Sequence, residues 1–170
     1  MMKTTLIAEI SQTMDELIQV FSSFDQQQID TIPFEKSWTA GQVAEHIIKS
    51  ISNLPEFFDK DIVPTTGRSF DANVGTIRNI FLDFTTKMQS PPFILPQASH
   101  HDKEATLQSF NTLKTQMINA ASTLDLTMTC KSFELPGIGF LTRLEWLNFF
   151  MVHTQRHTRQ LKNIYAALNK

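Results

Sequence analysis

The chain has 170 residues, 41% hydrophobic and 19% charged, with a net charge of -2 and a pI near 6.2. This balance suits a single domain over residues 1–170 with a sizeable core, and it excludes the overall basic footprint of a nucleic-acid-binding protein. The one cysteine, Cys130, excludes an internal disulfide framework and fits a reducing compartment.

The opening stretch, MMKTTLIAEISQTMDELIQVF, carries Glu9, Asp15 and Glu16 among its apolar residues. It therefore reads neither as a signal peptide nor as a membrane span, and a cytoplasmic location is expected. From about Lys3 to Gln28 the residues Leu6, Ile10, Met14, Leu17, Phe21 and Phe24 share one side, which predicts an amphipathic helix. Pro33 ends that pattern. A second helix opens at Thr39, whose capping-box partner is Gln42, with Trp38 placed to staple onto Val43. Its stripe is Val43, Ile47, Ile51, Leu54 and Phe58, and Pro55 predicts a kink or an end near Asn53. His46 sits on the shoulder of this stripe, one turn before Ser50, where it can face a groove between helices.

Lys60 to Asp71 reads as a connection, followed by a shorter helix from about Asn73 to Met88 with Val74, Ile77, Phe81, Phe84 and Met88 on one face. SPPFILPQ then enforces an extended crossing. Asp102 is the expected cap of a fourth helix with the stripe Leu107, Phe110, Met117, Ala121 and Leu124. Leu126 to Phe140, with Pro136, Gly137 and Gly139, reads as a loop or short extended piece, and no stretch alternates with period two for long enough to build a sheet. The fold class expected is all-α, an up-and-down four-helix bundle with an extra short helix on a long connection.

The last helix carries the chemistry. Thr142 and Glu145 form a capping box, with Leu141 placed to staple onto Trp146. Trp146, Phe150, His153, His157, Leu161, Ile164 and Leu168 fall on one stripe, opposite Asn148, Gln155, Arg159 and Lys162. From Leu141 onward there are five Lys or Arg against one Glu, so this helix is locally cationic. His153 and His157 occupy positions where the pattern asks for apolar residues, and an unpaired buried polar group costs roughly 1 to 3 kcal/mol. One turn apart, two imidazoles can bind one cation, and facing helices of a bundle can add a third ligand such as His46. The residues alone leave two readings open: a three-histidine metal site, or core histidines satisfied by carbonyls and hydroxyls beside a half-exposed His46.

The segments SWTAGQVAEHI, PPFILP and LPGIGFLTRLEWLNFFMVHTQRHTRQL resemble the DinB/YfiT-like superfamily of metal-binding four-helix-bundle proteins. The resemblance implies metal ligands at His46, His153 and His157 and a divalent ion such as zinc or nickel. His100 and His101 match no motif position and are expected at the surface or in a cap. It also implies a metal-dependent enzyme: low-molecular-weight thiol S-transfer first, hydrolysis second, with a non-enzymatic metal-binding stress protein as the remaining class. Glu45 and Glu145 fall away from the histidine arc, which leaves no general base and Gln160 as a supporting residue. The expected partner is a small molecule, with no nucleic acid and no membrane, and the count of 14 phenylalanines motivates a homodimer.

Overall fold

The computed structural model describes residues 2–170, and its framework is four helices: α1 (Met2–Ser22), α3 (Ala40–Ile51), α6 (Lys103–Thr123) and α7 (Arg143–Leu168). Short helices α2 (Gln26–Ile29), α4 (Leu54–Asp59) and α5 (Val74–Leu82) lie on the connections. The predicted stripe of α1 is the centre of the core, with Leu6 5% exposed and Ile10, Met14, Leu17, Phe21 and Phe24 fully buried. Phe21 meets Phe110 of α6 edge to face at 5.5 Å, and Phe24 meets Tyr165 of α7 in the same way at 5.2 Å. No helix among the described residues is long and apolar enough to cross a membrane.

Boundaries follow local hydrogen bonding. The predicted helix from Lys3 to Gln28 stops at Ser22, where the Ser22 and Ser23 hydroxyls donate to the Gln19 carbonyl, and Asp25 starts α2 with its own capping box to Gln28. The Thr39–Gln42 and Thr142–Glu145 boxes are both formed, and Asp102 caps α6. Pro55 sits in the first turn of α4, so the second predicted helix breaks in two around Asn53. The helix expected to reach Met88 ends at Leu82, because the Asp83 carboxylate accepts from the Thr85 amide and from the Thr85 and Thr86 hydroxyls.

Two features depart from the sequence reading. A three-stranded antiparallel sheet is present, in the order β1 (Ile62–Val63), β2 (Thr129–Leu135), β3 (Gly139–Thr142). Its strands are short, and an irregularity in register between Thr129 and Glu134 destroys the alternation that would have revealed β2. Gly137 and Gly139, at φ of 79° and 100°, turn the chain between β2 and β3. Cys130 is buried in β2 opposite Ile62, and burial pushes its thiol up to about 12, so it is inert.

The second departure is helix order. A simple up-and-down ring sets each helix beside its successor, whereas here α1 packs on α6 and α7, and α3 packs on the same two. The order around the bundle is therefore α1, α6, α3, α7. Long connections run between the main helices and carry α4, α5 and the sheet, so consecutive helices need not be neighbours. The consequence for chemistry is direct: α3 and α7, the two histidine-bearing helices, lie side by side.

Candidate metal centre

His46 comes from α3 and His153 and His157 from successive turns of α7. His46 is 1% exposed and His153 6%, while His157 is half-buried. Each offers a ring nitrogen, and these three atoms lie within 4.8 Å of one another. The Nε2 atoms of His46 and His157 both sit 3.1 Å from His153 Nε2.

The other ring nitrogens explain the orientation. His46 Nδ1 donates to the Ile94 carbonyl at 2.9 Å, and His157 Nδ1 donates to Gln160 Oε1 at 2.8 Å. Both imidazoles thereby carry their proton on Nδ1 and turn an Nε2 lone pair inward. His153 Nδ1 is buried without a partner. One proton on His153 Nε2 can serve only one of its two neighbours, so in the metal-free arrangement at least one buried lone pair faces no donor. A cation satisfies all three at once, and the residues present fit a divalent ion held by neutral imidazole nitrogens.

Electrostatics agree with that donor set. Burial lowers the pKa of all three histidines: His46 below its ordinary value, His153 well below it, and His157 to about 4. Mutual repulsion adds to the effect on His153 and His157, as does the charge of Arg156. The rings are thus neutral at pH 7, the form that coordinates metal. Ring packing holds them in place, with Trp38 5.2 Å from His46 and Phe149 stacked on His153 at 5.4 Å.

The proline-rich crossing serves the same site. A 3₁₀ turn at Pro92–Ile94 presents the Ile94 carbonyl to His46, and the next residues are tied to α3. Lys49 donates to the Leu95 carbonyl, and Glu45 accepts from the Gln97 and Ala98 amides. Burial alone would raise the Glu45 carboxyl, but bonds from Lys49, Gln97, His101 and Ala98 bring it down to about 2. Glu45 is therefore a strap anchor rather than a base. His101 also departs from expectation: its side chain is only 9% exposed, wedged between Asp30 at 2.8 Å and Glu45 at 3.1 Å. Its ring occupies the space a Cβ on Gly41 would need, and no local sequence signal marks that long-range fit. His100 is 77% exposed, as expected.

The histidines open into a cavity of about 1190 Å³. Both tryptophans and seven of the 14 phenylalanines line it, so the aromatic surplus noted in the sequence goes largely to this wall. Trp146, Phe149 and Phe150 line it together with the three histidines. Sequence reasoning missed Trp38, Ile94 and Phe81 as site residues. Trp38 could have been found as the aromatic nearest the His46 helix start, whereas the Ile94 carbonyl carries no side-chain signal.

A family model for the DinB superfamily matches residues 9–161. Among curated proteins none matches the chain. Among solved structures, the chain is similar to YfiT from Bacillus subtilis, described as a probable metal-dependent hydrolase with an unusual four-helix bundle topology. The TM-score is 0.63 at 15% sequence identity, covering 98% of this chain and 87% of that one, which shows a shared fold.

Proposed function

Because the chain belongs to the DinB superfamily, we propose that it is a metal-dependent enzyme in which His46, His153 and His157 hold one divalent ion, zinc or nickel, at the floor of the cavity. The observation that carries this reading is the convergence of three buried, neutral imidazole nitrogens on one point beside a solvent-reachable cavity. When bound, such an ion keeps its dipositive charge, so it can bring a water pKa toward about 7 or hold a thiol as its thiolate.

The chain's own residues do the rest. Ile94 and Gln160 fix the proton on Nδ1 of His46 and His157, which keeps both Nε2 atoms available. The aromatic wall gives the apolar part of a substrate a surface to lie against. Three protein ligands leave room in the coordination shell for a reactant, as in catalytic rather than structural sites. Hydrolysis of an ester or amide is the reading we place first, supported by the description of YfiT. Thiol S-transfer is the second, favoured by the fact that no carboxylate lines the cavity among the described residues, since a thiolate needs no protein base.

Elemental analysis of the purified protein should find one divalent ion per chain, and His153→Ala should lose it while keeping its helical circular dichroism. A panel of esters, amides and thiol-plus-electrophile pairs, assayed with and without thiol, separates the chemistries. Thiol-independent turnover that needs the metal supports hydrolysis, and turnover only with thiol supports transfer. Silence throughout in a metal-loaded sample overturns the enzyme reading in favour of a non-enzymatic metal-binding protein.

A further inference from the structure

The charge of the cavity wall has a single sign. Among the described residues, Lys36, Lys49, Lys87 and Arg156 line it and no Asp or Glu does, although the chain as a whole carries more acidic than basic residues. The four cations differ in how far they are already neutralised. Lys49 is paired with Glu45 at 2.7 Å. Arg156 donates to the carbonyls of Phe81, Asp83 and Thr86, while the Asp83 carboxylate that feels its charge is turned to Thr85 and Thr86. Lys36 has only a loose pair with Glu35 at 3.8 Å, both almost fully exposed, and no hydrogen bond or ion pair joins Lys87 to another described residue. Lys36 and Lys87 are therefore the wall cations that the protein compensates least, and their charge biases the mouth of the cavity toward anions.

Much of the remaining wall is apolar, beside polar residues such as Ser50, Asn53 and Gln160, and it includes apolar side chains that remain exposed to solvent. Phe34 is 55% exposed, Phe93 64% and Phe133 37%, with Ile80, Met88 and Leu95 at 41%, 37% and 38%, and all six line this one cavity. Exposed apolar side chains gathered in one concave place mark a ligand surface. Its volume exceeds the usual range for small-molecule pockets, roughly 300 to 1,000 Å³, which suits an elongated occupant.

We infer that the cavity takes an amphipathic anion: an acyl or aryl body lying against the aromatic wall, with a carboxylate, sulfonate or phosphate answered by Lys36 and Lys87. This names the substrate class of the proposed metal centre and rests on the reading of the cavity as that centre's substrate pocket. A neutral apolar molecule would leave the cations unanswered, and a cationic one would meet repulsion with no carboxylate to receive it.

The chain contains a built-in reporter, since its only two tryptophans, Trp38 and Trp146, both line the cavity. Decanoate, decanol and decylamine share one body and differ in charge, so tryptophan fluorescence titrations with each isolate the sign. In metal-stripped protein, where a carboxylate has no ion to bind, decanoate should bind about tenfold or more tighter than decanol, and decylamine weakest. The Lys36→Glu/Lys87→Glu double variant, altered only at the rim, should lose the decanoate preference while keeping its decanol affinity. Equal or tighter binding of decylamine, an unchanged preference in the double variant, or no response to any of the three overturns the inference. Repeating the titrations with His153→Ala keeps the two readings apart. Anion preference that persists there supports the cavity chemistry whatever the metal assays return, and preference lost there with the fold intact overturns it.

Discussion

Helix α7 carries two buried polar clusters about two turns apart, and they are built in opposite ways. At its start the fully buried Glu145 carboxylate accepts four hydrogen bonds: two from the Arg68 guanidinium at 2.6 and 2.8 Å, one from the Asn73 amide and one from the Thr142 amide, both at 2.8 Å. At its middle three imidazoles turn lone pairs toward each other, and His153 Nδ1 has no partner. The first network is complete within the protein; the second leaves His153 Nδ1 unpaired and gives two Nε2 lone pairs one shared proton. That contrast separates a polar cluster whose hydrogen bonds close within the fold from one suited to the proposed ion, since natural cores rarely leave buried acceptors unanswered.

The comparison breaks most sharply at Glu145. Glu145→Ala removes the side-chain half of the α7 capping box, leaving the Thr142 hydroxyl in place, and strips Arg68 of its carboxylate, so unfolding in urea should show a loss of about 3 kcal/mol, with or without metal. The same measurement on metal-free His153→Ala should show a smaller loss, because its Nδ1 has no partner and its Nε2 proton serves only one of two neighbours, against four hydrogen bonds at Glu145. Equal losses in the two variants would erase the distinction between the clusters.

Gln160 sharpens the contrast at the histidine end. Gln160→Leu leaves the His157 Nδ1 proton without its acceptor, and support of this kind is worth about 10- to 100-fold in metal affinity. Chelator competition should record that weakening, while the metal-free protein unfolds at nearly the wild-type denaturant concentration.

The smallest effect is in pH. The folded pKa of His157, about 4, lies below the unfolded value near 6.5, so the unfolded chain binds more protons between those limits. Stability of the metal-free protein is therefore full above about pH 6.5 and is lost as pH falls toward 4. Urea titrations at pH 7 and 5.5 should differ by about 1 kcal/mol on account of His157, and His157→Gln should flatten that difference. A wild-type curve that stays level to pH 4.5 would mean the three rings are not buried as a neutral group.

The local reading of this chain succeeded wherever a decision depends on a few consecutive residues. The α1 stripe, the Thr39–Gln42 and Thr142–Glu145 boxes, the Asp102 cap and the break at Pro55 all follow from i to i+4 chemistry, and all are present. The spacing of His153 and His157 was equally legible, because two imidazoles one turn apart on a helix share a face whatever surrounds them. Only the folded chain decided which helix stands beside α7, and so whether His46, 107 positions away, reaches His153 at all. The tautomers depend on a backbone carbonyl in the strap. The sheet depends on pairing Ile62 with Cys130, and the burial of His101 on a glycine sixty residues earlier. None of these leaves a periodic trace, since each is a meeting of distant segments whose geometry is set by packing. The residues named the chemistry; their convergence on one cavity is a property of the tertiary structure.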